Sequence, residues 1–265
     1  MVLPDAQALA DAVAQRIVAA ATNAVEASGR FVLALSGGAT PQRTFERLAE
    51  AALSARMDWT RVHVVWGDER CVPPDDAASN YRLARSLLLD HVPVRPEHVH
   101  RILGELDAPE AVARYEMTLR ALLATPVGPP RAEPGARIDF VLLGLGPDGH
   151  TASLFPGSPG IGDLVNWAIP ARTNSAPAWR VSLTPAVINA SGEVAFVVSG
   201  ATKADVLRRV LEGHRQELEL PAQAINPSSG SARWYVDADA AAMLGAASLP
   251  PAHDEAAGTA GKRRP

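Results

Sequence analysis

Apolar residues recur every fourth position through residues 5–28, at Leu9, Val13, Ile17, Ala21 and Val25, and Gly29 follows. That spacing predicts an amphipathic helix that ends at the glycine. The pattern then changes to an unbroken apolar run, Phe31-Val-Leu-Ala-Leu35, which stops at Ser36-Gly37-Gly38. Such a run predicts a strand buried on both faces of a parallel sheet. A second helix is predicted at once, with Thr40 as its N-cap, Pro41 at the first helical position, and Phe45, Leu48 and Ala52 on its apolar face.

The strand, loop and helix unit recurs. Arg61–Trp66 reads as a strand running into Gly67-Asp68-Glu69-Arg70, and after a proline-broken loop Ser79 caps a helix carrying Leu83, Leu87 and Leu88. Residues 109–123 read as a helix, and Ile138–Leu143 as a buried strand leading into Gly144-Leu-Gly-Pro-Asp148-Gly-His150-Thr-Ala-Ser153. Further strands are predicted at 165–169, 180–183, 193–198 and 233–236. The strand at 193–198 leads through Ser199-Gly200 to a helix with Lys203 near its start and Val206, Leu207 and Val210 facing inward. This alternation predicts an α/β fold: an open, mostly parallel twisted sheet with helices on both faces and right-handed crossovers. No internal repeat is visible. The Pro- and Gly-rich stretch 125–136 reads as a surface linker that requires no domain boundary. The expected organisation is one α/β domain over residues 1–247 and a disordered tail over 248–265, rich in Pro, Ala and Gly.

Composition narrows the function classes. Of 265 residues, 47% are apolar and 20% charged, which excludes disorder as the main state. A formal charge of −4 argues against a general nucleic-acid partner. The one cysteine, Cys71, cannot form an intrachain disulfide, the N-terminus lacks the pattern of an export signal, and no apolar run approaches the ~20 residues of a membrane helix. The expectation is a cytoplasmic protein, monomeric by default, with no membrane partner.

In open α/β sheets, ligands bind beyond the carboxyl ends of the strands. Four polar clusters fall at that place, Ser36-Gly-Gly-Ala-Thr40, Asp68-Glu-Arg70, Asp148-Gly-His150 and Gly200-Ala-Thr-Lys203, and predict one composite site. Two glycines before a helix leave backbone N–H groups bare at its positive end, which suits a phosphate; a tight turn with an ordinary cap is the plain alternative. The triphosphatase loop G-x-x-x-x-G-K-[ST] is absent, and Gly144 and Gly146 are followed by Gly149 at the wrong offset for a dinucleotide turn, so a small phosphorylated molecule is expected. Lys203 sits in the first turn of its helix, where the dipole disfavours a cation unless an anion is near; a solvated lysine is the alternative. Arg180, at a strand start, is a further candidate anion contact. His150, on a glycine loop, is the histidine best presented for proton exchange. His63 reads as a packed or surface strand residue, and His91, His98, His100, His214 and His253 as loop or exposed-helix residues. No His, Cys and Asp grouping has zinc spacing. The neighbours Asp68 and Glu69 point in different directions, so one of them is expected to be structural, pairing with Arg70 or capping a loop.

Three segments in order, Leu35-Ser-Gly-Gly-Ala-Thr-Pro41, Trp66-Gly-Asp-Glu-Arg70 with Ser79-Asn-Tyr81, and Leu143-Gly-Leu-Gly-Pro-Asp-Gly-His-Thr-Ala-Ser-Leu-Phe-Pro156, together resemble the 6-phosphogluconolactonase family over about residues 5–245. The family shares its Rossmann-like fold with glucosamine-6-phosphate deaminase. The deaminases carry Asp-Glu-Tyr at the second motif and a Glu five residues beyond the histidine; this chain has Arg70 and Phe155 there. The resemblance therefore implies hydrolysis of 6-phospho-D-glucono-1,5-lactone to 6-phosphogluconate in the oxidative pentose phosphate pathway, with the deaminase or a non-catalytic sugar-phosphate sensor as alternatives. It implies His150 as general base with Asp148 orienting the loop or the imidazole. The phosphate would rest on Ser36, Gly37, Gly38 and Thr40, with Lys203, Arg70 and Arg180 opposing its charge and Asp68 among the substrate-binding residues. A small sugar phosphate is the only partner implied, with no metal or organic cofactor.

Overall fold

A computed structural model describes residues 1–124, 137–227 and 229–246 of the chain. The expected linker at 125–136 and the tail at 248–265 lie outside the described residues. In chain order the elements are β1 (Val2–Leu3), α1 (Ala6–Ser28), β2 (Phe31–Leu35), α2 (Ala39–Ala49), α3 (Ala51–Ser54), β3 (Val62–Trp66), β4 (Asp68–Arg70), α4 (Asn80–Leu87), α5 (Ala108–Ala124), β5 (Phe140–Leu143), β6 (Ala168–Arg172), β7 (Trp179–Leu183), α6 (Pro185–Asn189), β8 (Glu193–Val198), α7 (Ala204–Glu212), β9 (Ser231–Asp237) and α8 (Ala238–Ala241).

Six strands form the main sheet in the order β1-β9-β8-β5-β2-β3, and every pairing in it is parallel. The apolar runs at 31–35 and 140–143 are its fully buried inner strands, covered as their composition requires. Helix α1 begins where Asp5 accepts from the backbone N–H groups of Gln7 and Ala8, and ends at Gly29, whose φ of 81° lets its N–H turn back to Val25 O. Leu9, Val13, Ile17 and Ala21 are buried as their spacing predicts, with Ala10, Ala14 and Val18 beside them. Ser79 caps α4, accepting from Arg82 N–H.

Several expectations are corrected. Thr40 is not an N-cap: Gly38, at φ 104°, occupies that position, and α2 starts at Ala39 without a side-chain cap. The backbone turns extended at Glu50, so Ala52 falls on the separate short helix α3 and is exposed while Leu53 is buried. The strand expected at 165–169 is β6, shifted to 168–172; Leu164 and Val165 are exposed. The largest departure is a second sheet, antiparallel, in the order β4-β7-β6. Gly67 joins the two sheets, donating its N–H to Leu35 O at 2.8 Å and accepting from Leu183 N–H at 2.8 Å. His98 and His100 are not independent surface residues either. The His98 ring stacks on His63 at 3.9 Å, and His63 Nδ1 lies 3.1 Å from His100 Nε2. The segment around them extends the edge of β3, with His100 N–H donating to Val64 O.

Candidate active site

The main sheet reverses its order between β2 and β5: from β2 the chain steps outward to β3, then returns to build β5, β8 and β9 on the other side. Loops after neighbouring strands diverge at such a point and leave a crevice at the carboxyl ends. The crevice here is a cavity of about 570 Å³, and Ser36, Gly37, Gly38, Thr40, Asp68, Arg70, Asp148, His150, Arg180 and Lys203 all line it. Five chain segments, the turn into α2, β4, the loop after β5, β7 and the turn before α7, thus bring every candidate residue together.

The loop after β5 is built around the imidazole. Gly149 takes φ 84°, its N–H donates to Gly146 O, Gly146 N–H donates to His150 O at 2.8 Å, and Thr151 Oγ1 donates to Gly144 O at 2.9 Å. Gly146 must lack a side chain, because a Cβ there would stand 2.1 Å from His150 Nδ1. His150 Nδ1 lies 2.5 Å from Asp148 Oδ1. An ionised carboxylate only accepts, so the ring proton sits on Nδ1 and Nε2 presents its lone pair. Nε2 has no hydrogen-bond partner among the described residues. Burial raises the affinity of Asp148 for protons, but electrostatic attraction to His150 and its hydrogen bonds outweigh it and hold the carboxyl below its ordinary range. The Phe155 ring packs against the imidazole at 4.8 Å between centroids.

The same cavity also gathers three cationic side chains and an unpaired hydroxyl. Ser36 Oγ is buried without a hydrogen-bond partner among the described residues. Arg70 and Arg180 are register partners across β4 and β7, an unfavourable placement for two like charges unless something negative lies between them. Burial, with Arg70 next, pushes the Arg180 guanidinium below its ordinary range. Backbone carbonyls hold the cations in place: Arg70 Nη1 donates to Ala78 O at 2.6 Å, Arg180 Nη1 to Pro177 O at 2.5 Å, and Lys203 Nζ to Leu145 O at 2.8 Å. Burial also lowers Lys203. Lys203 closes a 3-10 turn, Ala201–Lys203, ahead of α7, so its side chain reaches into the cavity from the helix start.

Asp68 and Glu69 do diverge. Asp68 lines the cavity and accepts from Ser153 Oγ at 2.6 Å. Glu69 turns inward, where its carboxylate accepts from the N–H groups of Arg70, Asn80 and Tyr81 and from Ser79 Oγ. Four donors and the N-terminus of α4 satisfy that charge, although burial still raises its proton affinity. Asn80, quoted in the second motif, received no role from the sequence. Its Nδ2 donates to Asp68 O at 2.9 Å, and its Oδ1 lies where a Cβ on Gly37 would be, 1.8 Å from that position. Gly37 is therefore a glycine on account of Asn80. The sequence signals for Asn80 were its place in the Ser79-Asn-Tyr81 part of the second motif and its adjacency to the Ser79 cap.

Among the described residues no group of three or more His, Cys, Asp or Glu side chains is placed to hold a metal ion. No helix among them is long and apolar enough to cross a membrane.

Comparison with known proteins places the chain. The family described as glucosamine-6-phosphate isomerases/6-phosphogluconolactonase matches residues 4–234. A 6-phosphogluconolactonase of Haemophilus influenzae is 34% identical over 241 residues, 91% of this chain and 97% of that protein. The solved 6-phosphogluconolactonase of Trypanosoma brucei superposes with a TM-score of 0.79 at 28% identity, covering 92% of this chain and 98% of that one. A monomeric glucosamine-6-phosphate deaminase shares the fold at a TM-score of 0.76 and 21% identity, over 92% of this chain and 98% of its own. The chain belongs to the glucosamine-6-phosphate isomerase/6-phosphogluconolactonase family.

Proposed function

We propose that the protein hydrolyses 6-phospho-D-glucono-1,5-lactone to 6-phospho-D-gluconate. The observation that carries this reading is the imidazole of His150: one nitrogen is committed to Asp148, the other is free, and the cavity it lines also holds Arg70, Arg180 and Lys203. His150 Nε2 takes a proton from water as the water oxygen bonds to the lactone carbonyl carbon. Collapse of the tetrahedral intermediate breaks the bond between that carbon and the ring oxygen, and the imidazolium returns its proton to the departing oxygen. Asp148 keeps the ring in the required tautomer and stabilises the transient imidazolium. The 6-phosphate rests on the loop Ser36–Thr40, countered by Arg70, Arg180 and Lys203, and Asp68 accepts a hydroxyl of the sugar chain.

Phe155 supports a lactonase over a deaminase. Deamination needs a second acid beside the histidine, and a phenyl ring exchanges no proton. Glu69 turns away from the cavity and is satisfied by four donors, so it does not stand in for that acid. We read residues 1–247 as one catalytic domain acting in the cytoplasm; all the residues assigned come from one chain, so a monomer suffices.

The test is to generate the lactone in situ and follow acid release against the spontaneous rate, with an ammonia assay on glucosamine 6-phosphate run beside it. Enzyme-dependent acid release with no ammonia is expected. Amino-sugar turnover at a comparable rate would reverse the assignment.

A further inference from the structure

Asp237 ends β9 and is 4% exposed, yet no Lys, Arg or His pairs with it among the described residues. Its carboxylate is saturated by other donors. Ser199 Oγ donates to Oδ2, Gly200 N–H donates at 3.0 Å to both oxygens, and Ala240 N–H donates to Oδ1 at 2.8 Å. Capping α8 accounts for the last of these and would need only a neutral acceptor. The others hold the turn at Ser199-Gly200, where Gly200 takes φ 95°. That turn aims the lysine: Lys203 N–H donates to Gly200 O at 3.0 Å, and Lys203 Nζ donates to Leu145 O, on the loop that follows the neighbouring strand β5.

We propose that Asp237 is a positioning residue for substrate binding: by clamping the 199–200 turn from β9 it sets where the Lys203 ammonium stands relative to the phosphate. The inference rests on the reading of Lys203 as a phosphate contact. A charged acceptor suits the task, since one carboxylate takes a hydroxyl and two backbone N–H groups together, and hydrogen bonds to an ionised group are the stronger kind.

The test uses the full chain and two substrates, the phosphorylated lactone and unphosphorylated gluconolactone, with inorganic phosphate as competing ligand. Asp237→Ala should raise KM for the phosphorylated lactone by about ten-fold and weaken phosphate inhibition in proportion, with kcat and unphosphorylated lactone hydrolysis changed by less than about two-fold. Asp237→Asn, which keeps one acceptor oxygen, should recover part of the loss. Gly200→Ala covers the case in which Asp237→Ala does not fold. A Cβ there meets nothing within 4 Å, so this variant perturbs only the left-handed turn and should reproduce the KM effect. An unchanged KM in both variants, or equal losses on both lactones, overturns the proposal. Lys203→Met is the reference. If it fails to separate the two lactones, the phosphate contact itself is wrong and the inference falls with it; if it separates them while Asp237→Ala and Gly200→Ala do not, only the role of Asp237 is refuted.

Discussion

At the scale of single residues, the site depends on what each neighbour denies the imidazole as much as on what it offers. His150→Ala removes the free ring nitrogen that lines the cavity, and kcat should fall by ~100-fold or more while 6-phosphogluconate still binds. A folded variant with near-native turnover would take His150 out of the mechanism. Gly146→Ala tests the space around the ring. Its Cβ would stand 2.1 Å from His150 Nδ1, so the imidazole must swing away from Asp148. Activity should drop by about ten-fold or more and phosphate inhibition by less, because the clash falls on the imidazole, whereas Lys203 is held one position earlier, on Leu145 O. Equal losses of activity and phosphate affinity would show that the loop acts as a whole. Histidine titration followed by NMR in the same variant would report the lost Asp148 contact directly.

At the scale of elements, helices fix the strand ends that carry the site. Tyr115, on α5, is 2% exposed and spans the end of β3 with one oxygen, donating to Trp66 O at 2.6 Å and accepting from Trp66 N–H at 2.8 Å. β3 is the edge strand of the main sheet, so nothing on its outer side replaces those bonds at Trp66. Tyr115→Phe leaves a buried N–H and C=O unpaired, and denaturant unfolding should show a loss of about 1–3 kcal/mol. A change within error would mean that water takes over the phenol's role. Glu69 does comparable work between β4 and α4. Glu69→Gln turns an acceptor into a donor facing N–H groups, and should both lower stability and weaken substrate binding, since Asn80 and Arg70 move with it. Stability loss with unaltered KM would confine Glu69 to capping.

At the scale of the whole molecule, the histidine cluster contributes to the response to acid with a definite sign. Burial, then the neighbouring His98 and His100, then Arg30, push His63 down to about 4. His100 is lowered as well, by burial and His98. An imidazole in the unfolded chain binds its proton near 6.5. Between those values the unfolded state holds more protons, so stability declines as pH falls through the window from about 6.5 to about 4, and these rings contribute no slope above it. Thermal melts across that range should show a larger drop in Tm for the native protein than for His63→Gln. Parallel curves for the two would exclude the cluster as the acid-sensitive element.

What the sequence by itself determined are the features set within about four residues: the apolar face of α1 and its end at Gly29, the buried runs β2 and β5, the Ser79 cap, and the polar clusters that follow strands. Helical period, capping and strand burial are local properties, so one stretch of chain suffices to read them. The same clusters named the residues that the cavity gathers, because strands of a parallel sheet all point their carboxyl ends one way. Tertiary structure alone decided the rest. Whether Asp68 or Glu69 faces the cavity depends on β4 leaving the main sheet at Gly67 to pair with β7, more than a hundred positions away. The need for glycine at 37 comes from Asn80, at 146 from the fold-back of His150, and the histidine stack from a segment docking on β3. Asp237 was invisible for the same reason: its partners Ser199 and Gly200 stand in the turn after the neighbouring strand β8, and no local pattern records which carboxylate a distant turn will use.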